Sequence, residues 1–321
     1  MKTARHLLLD WMEQGRIEPG HLQRALGFAG VLPSAAQWRW FLDQLLLWLG
    51  TLMVTGGVVY FFAYNWNNLG RFAKFGIVEA LITGALIAVW RIGVDRIAGK
   101  AVLLAASIFV GALLALIGQT YQTGADTFEL FAVWAAIILP WVLAARFAAL
   151  WLFWLALINL ATILYFQAFG GLFGLLFSAQ QLIWILFGIN TLALVVWEIV
   201  AARSKRDHWA LRLLVTASGG LVTALAIHAI AGSGAGDGLA LLAWFAWIAA
   251  AYVVYRRMLL DVFVLAGGVL SVITVVTVLL GRFLLKANLE AGGLLIIGLV
   301  VIGLSAAGGW WLKQVANEAG P

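Results

Sequence analysis

Cysteine is absent from the 321 residues. That excludes a disulfide framework, a thiolate metal site and a thiol nucleophile, and it leaves no trace of a redox compartment. Charge is scarce as well: 11% of the residues are charged, against about 25% in a typical soluble domain. With 64% apolar residues, a water-soluble fold of this length lacks the polar surface to cover its own apolar mass. Catalytic signatures are also missing. There is no His-Glu-x-x-His, no Gly-x-Ser-x-Gly and no phosphate-cradling Gly-x-x-x-x-Gly-Lys-Ser/Thr. A secretory leader is not expected, because Glu13, Arg16, Glu18, Arg24 and Arg39 are spread through the first 43 residues where a short apolar core would sit.

What the chain does have is long apolar runs. A hydrocarbon core about 30 Å thick takes about 20 helical residues to cross. Runs of that length lie at 44–64, 72–91, 100–118, 128–145, 147–168, 178–201, 210–231, 238–255, 258–281 and 290–312. Transmembrane β-strands are shorter and alternate in polarity, whereas stretches such as Ala149 to Leu157 do not alternate. The fold class expected is therefore all-α, a polytopic transmembrane bundle of about ten spans. Seventeen Trp and six Tyr suit a protein with two water–lipid interfaces.

The net charge of +6 does not point to nucleic acid, because the basic residues stand singly between apolar runs. They follow a topological rule instead. With the N-terminus in the cytoplasm, 16 of the Lys and Arg residues fall in cytoplasmic segments and four, Arg71, Lys74, Arg282 and Lys286, fall outside. Such a split is a positive-inside signal and predicts both termini on the cytoplasmic side. The expected partners are the lipid bilayer and other membrane proteins or a second copy of the chain; no cofactor and no metal site are called for.

Four blocks are expected along the chain. Residues 1–43 read as a cytoplasmic amphipathic helical segment. Leu7, Leu8, Trp11 and Met12 fall at helical spacing before Gly15, and Pro19 opens a second helix carrying Leu22, Ala25 and Leu26. Spans one to four occupy 44–145, spans five and six 146–205, and spans seven to ten 206–313. A shift of 163 residues lays Gly56-Gly57 on Gly219-Gly220 and Gly118 on Gly281, the pattern left either by a parallel repeat of the first four spans or by chance matching of Gly-rich apolar segments.

Two polar stretches fall on the expected outer side. One is Asn65-Trp66-Asn67-Asn68, closing the first span; the other runs from Gly118 through Gln119, Tyr121, Gln122 and Asp126 to Glu129, where the fourth span opens. Polar groups this close to hydrocarbon need partners or water. They are expected to converge into one outward patch, with Asn65, Trp66, Glu79, Gln119, Tyr121, Gln122, Asp126 and Glu129 as candidate ligand-binding residues. Glu79 lies about two turns into the second span, where a carboxylate is costly and often functional. Helical phase puts it on one face with Thr83, and Gln119 and Asn65 are its candidate partners. Asp126 and Glu129 also fit a capping box, in which the acid accepts from backbone N–H groups and the Glu reaches back.

The first span's ending Ala63-Tyr64-Asn65-Trp66, the stretch Gly118 to Asp126, and Phe131 with Trp134 resemble the domain of unknown function 2157 family. The resemblance covers about residues 8–150. It implies a helical bundle in the bacterial inner (cytoplasmic) membrane and supplies no reaction, substrate or catalytic residue.

The remaining polar groups within spans read as structural. Asn159 and Asn190 lie symmetrically about the turn near Gly170, so an antiparallel hairpin brings them to one depth where they can hydrogen-bond. Asp261 is expected to pair with Arg257 one helical turn before it. Glu198 is expected to snorkel beside Arg203 and Lys205. His228 is a lone histidine without convergent ligands, expected to be satisfied by hydrogen bonding. Three functions follow: a non-enzymatic bundle whose outward polar patch binds or transports a small ligand or lipid head group; a structural or assembly protein acting through partner subunits; and, third, an intramembrane enzyme with its nucleophile and base on separate helices.

Overall fold

A computed structural model describes residues 4–30, 32, 34–64, 69–122, 124–170, 178–201, 208–232, 237–286 and 290–318. Among them the chain forms twelve α-helices and no strand. Backbone N–H and C=O groups find no water in a bilayer core, so an apolar chain of this kind must satisfy them within each segment. Two short helices, α1 (Ala4–Glu13) and α2 (Leu22–Phe28), come first, and Gly15, with φ +70°, ends the first of them. Ten longer helices follow: α3 (Ala35–Tyr64), α4 (Arg71–Ile92), α5 (Ile97–Tyr121), α6 (Thr127–Ala145), α7 (Ala148–Gly170), α8 (Ala179–Ala201), α9 (His208–Ala231), α10 (Asp237–Val253), α11 (Val262–Lys286) and α12 (Glu290–Glu318). Each is long and apolar enough to cross a membrane.

The ten expected spans are all present, several of them with shifted ends. Helix α3 starts at Ala35, so Trp38, Arg39, Trp40 and Phe41 continue the spanning helix rather than belonging to a separate segment. A local cap holds its start: Ser34 Oγ accepts from Gln37 N–H and Gln37 Oε1 accepts from Ser34 N–H. At the other end of the unit α5 runs to Tyr121, so Gly118 to Tyr121 are helical and the chain turns only at Gln122, in the left-handed region with φ 45°.

The chain divides into two compact units, Met1–Thr123 and Gly124–Gly320. In the first, α4 and α3 both pack on α5. Phe62, Val78 and Leu116 from the three helices form a core cluster. The α4–α5 connection is tight: a Cβ on Gly99 would meet the carbonyl oxygen of Gly93 at 2.1 Å, and Gly93 itself has φ +93°. In the second unit α9 is the hub, packing on α7, α8, α10 and α11, while α12 packs on α11. Within the repeat the sequence suggests, the hub is thus the third helix in one half and the first in the other.

Polar side chains stitch the second unit across its helices. Asn190 donates to Asn159 Oδ1 at 2.6 Å, joining α8 to α7 as expected, and each amide also donates to the carbonyl four residues earlier. Thr191 meets Ser218 at 2.7 Å, and the Trp247 indole donates to the same Ser218 oxygen. One layer further along, Thr223, Ser271 and Trp244 make the equivalent three-helix knot. Among the described residues no buried side-chain nitrogen or oxygen lacks a partner.

Candidate functional site

The sequence-predicted site residues are carried on two different units. Asn65 and Trp66 lie outside the described residues. In the first unit Glu79 stands on the exposed face of α4 together with Thr83, as helical phase requires. No hydrogen bond joins it to Gln119, its expected partner, and Gln119 is itself exposed near the end of α5. Tyr121 is 62% exposed and leans its ring on Phe75 at 6.0 Å between centroids; Gln122 follows it in the left-handed turn. Lys74 is the group that sequence reasoning missed here. It is buried on the first turn of α4, on the same face as the buried Val78 four residues on. Its spacing from Val78 was the available signal, and counting it with an outer loop hid that signal.

In the second unit Asp126 and Glu129 open α6. Asp126 has the extended backbone of a cap residue, but its side chain makes no capping bond, and only the backbone link from Glu129 N–H to the Asp126 carbonyl forms. The expected capping box is therefore not built. Both carboxylates are exposed, without a side-chain partner among the described residues. They stand at the positive end of the α6 dipole, where negative charge is favoured without any side-chain bond.

Beside them runs a groove between α6 and α7, of about 500 Å³, closed on one side by Ile185 of α8. Phe128, between the two acids, lines its end. Phe128, Tyr165 and Phe169 pack edge to face there, with Phe128 5.1 Å from Tyr165 and 5.8 Å from Phe169. Small residues, Ala132, Ala136 and Ala161, make the walls low enough to leave space. Two of its polar groups are already committed: the Thr162 hydroxyl donates to the Ile158 carbonyl and the Trp154 indole donates to the Ala135 carbonyl at 3.0 Å. Pro140, inside α6, cannot donate to the neighbouring Ala136 carbonyl. Apart from the Tyr165 hydroxyl and the Ala136 carbonyl the groove is thus apolar, with two exposed carboxylates at the end where Phe128 stands.

At the opposite end of the second unit one polar contact replaces the one expected, and two more join it. Asp261 pairs with Arg212 of α9, Nε to Oδ2 at 3.1 Å, rather than with Arg257. The α10 helix widens into a π-helical turn at Val254–Met258 and the chain then breaks before α11, so the regular helical spacing from Arg257 to Asp261 does not exist. The other Asp261 oxygen accepts from Phe263 N–H and caps α11. Glu198 accepts from the buried Tyr255 hydroxyl, while Arg203 and Lys205 lie outside the described residues. Arg256 pairs with Glu318 of α12. His228 is exposed on the last turn of α9, without a side-chain partner among the described residues.

Residues 9–151 match the model of a family described as a predicted membrane protein, DUF2157. The match takes in the first unit from residue 9 on, α6 and the start of α7, including Glu79, Gln119, Asp126 and Glu129. No curated protein and no solved structure matches the chain. Together with the ten apolar helices, this makes the chain a multi-pass membrane protein.

Proposed function

We propose that this protein is a non-enzymatic, lipid-handling membrane protein that holds an amphiphile on the α6–α7 face of its second unit. The tail lies in the apolar groove and an amine-bearing head group sits at Asp126 and Glu129, on what this reading takes as the outer side. The observation that carries it is the groove ending at Phe128, between two exposed carboxylates that nothing else in the described structure engages. The groove's volume falls within the range of about 300–1,000 Å³ common to small-molecule sites. From Phe128 to Leu139 it follows about 16 Å of helix, close to half of a hydrocarbon core about 30 Å thick. One acyl chain of the adjoining leaflet matches that depth. Head-group recognition by Glu79, Gln119, Tyr121 and Gln122 of the first unit is a separate element of the proposal, carried by their exposure at or near one end of the α4–α5 hairpin.

The test uses the full chain in nanodiscs that contain phosphatidylethanolamine or phosphatidylglycerol in phosphatidylcholine, with bound lipid counted by native mass spectrometry. Retention of the amine lipid is expected for the unaltered chain and its loss for Ala161→Leu, which fills the groove. Asp126→Asn with Glu129→Gln is expected to abolish the preference for amine over phosphatidylglycerol while leaving the chain folded. Equal retention in all variants would overturn the reading.

A second reading, an assembly protein acting through partner subunits, is favoured by α3 and α12. They are the two least buried of the ten spans, with Thr55 and Phe62 the buried residues of α3 among those described. Cross-linking from Val54 or Leu299, both well exposed, into other chains would support it.

A further inference from the structure

We infer that a second groove, between α9 and α11, binds one acyl chain of an anionic lipid whose phosphate is held by Arg212. This site uses neither Asp126 nor Glu129 and lies at the other end of the second unit, so it stands or fails separately from the α6–α7 groove.

The groove has a volume of about 300 Å³ and is floored by Trp247 of α10. Glycines make the space. A Cβ on Gly219 would meet the Trp247 ring at 2.7 Å, so Gly219 is what lets that indole lie against α9. Gly220 and Gly267, on the two walls, have nothing within 4 Å of the position a Cβ would take. The hydroxyls in the walls are spent on the protein: Thr223 bonds Ser271 at 2.6 Å, Thr274 donates to the Leu270 carbonyl, and Thr216 donates to the Arg212 carbonyl. A wall whose polar atoms are satisfied is as hospitable to hydrocarbon as an aliphatic one. From Val215 to Ile227 the groove follows about 18 Å of helix, again near one leaflet's depth.

One end of this groove carries a positive charge. Arg212 stands on the first turns of α9, its guanidinium 5.3 Å from the centre of the Phe263 ring that lines the groove. Trp209, nearly half exposed one turn earlier, marks the depth at which indoles settle at a membrane interface. The ion pair with Asp261 offsets the net charge of Arg212 but engages it through Nε, so the outer edge of the guanidinium is left as a hydrogen-bond donor toward a ligand. The Asp261 side chain is 8% exposed and both its oxygens are committed, whereas 45% of the Arg212 side chain is exposed. Asp261 fixes the guanidinium through Nε, and the planar fork beyond it suits two phosphate oxygens. Arg257, also exposed, adds positive charge on the same side of the helices. The combination of a leaflet-deep dry groove and a positioned guanidinium at its mouth matches a phospholipid rather than a neutral amphiphile.

The experiment again counts lipids bound to the full chain, in phosphatidylcholine nanodiscs titrated with phosphatidylglycerol. Gly267→Leu and Gly220→Leu place a Cβ in open space and remove no side-chain hydrogen bond, with circular dichroism as the check on the fold; each is expected to lower the apparent affinity for phosphatidylglycerol about tenfold, the scale of about two methylenes kept from burial. Arg212→Lys is expected to lose the phosphatidylglycerol preference over phosphatidylcholine while circular dichroism stays unchanged. Unaltered phosphatidylglycerol binding in both glycine variants overturns the inference, as does equal binding of the two lipids by the original chain. Ala161→Leu, which blocks the α6–α7 groove, is expected to leave this binding intact; if it removes phosphatidylglycerol instead, the anionic lipid belongs to the first groove and the assignment to Arg212 fails.

Discussion

Asn159 and Asn190 are the clearest case of a residue pair whose meaning is set by arithmetic. Their reciprocal amides meet across α7 and α8, and each also reaches back to its own helix. Asn190→Leu removes one partner and leaves the Asn159 amide oxygen without its donor; a loss of about 0.6–2 kcal/mol is expected, read as a lowered unfolding midpoint in detergent. The double substitution to Leu is expected to cost less than the two single losses added, because no orphaned amide remains. Gly99→Ala acts through sterics instead. Its new Cβ has only backbone in its way, which cannot rotate aside, so a loss at or above about 1–3 kcal/mol is expected by the same measurement. The pairing of the asparagines was legible because consecutive spans are antiparallel and depth follows from counting. The surroundings of Glu79 were not, because the rotation of α4 about its own axis is decided by packing on α5, and that packing turned Lys74 and Val78 inward instead.

The same limit shows at the scale of the element, in two acids that share one sequence position relative to a helix. Asp126 and Asp261 each immediately precede a helix, and Asp126 has the capping-box spacing to Glu129. Only Asp261 uses its side chain, accepting from Phe263 N–H and from Arg212 together. Asp261→Ala is therefore expected to lower stability by about 1–3 kcal/mol, from the lost cap and the unpaired arginine. Asp126→Ala is expected to stay within about 0.5 kcal/mol of the unaltered chain, since no side-chain bond is lost. Denaturation of the two variants side by side checks the contrast; equal losses would mean that the capping box forms after all. A pattern of residue types gives the opportunity to cap, and the rotamer that takes it depends on what else stands within reach. The π-helical turn at Val254–Met258 belongs to the same class of event: it re-aims Asp261 away from Arg257, and nothing in the run of residue types announces it.

For the whole molecule, the number and extent of the spans were legible because hydrocarbon admits few backbone solutions, and an apolar run of the right length has to become a helix. The division after Thr123 was not, since it depends on which helices touch. Sidedness is the property of the whole chain that remains to be measured, and the absence of cysteine makes the measurement direct. Ten crossings would put both ends on one side, and the 16 to four distribution of basic residues predicts that this side is the cytoplasm. Single cysteines at Ser34, Asp95 and Met258 are then expected to react with a membrane-impermeant maleimide only in inverted vesicles. Cysteines at Ala125 and Ala231 are expected to react in intact cells stripped of their wall. Labelling of Asp95→Cys and Met258→Cys from opposite sides would break the alternation, and with it the assignment of the two grooves to opposite leaflets. The result also bears on the ligands: Asp126 and Glu129 would meet head groups of one leaflet, and Arg212 and Arg257 would meet those of the other, where anionic lipids add to the attraction.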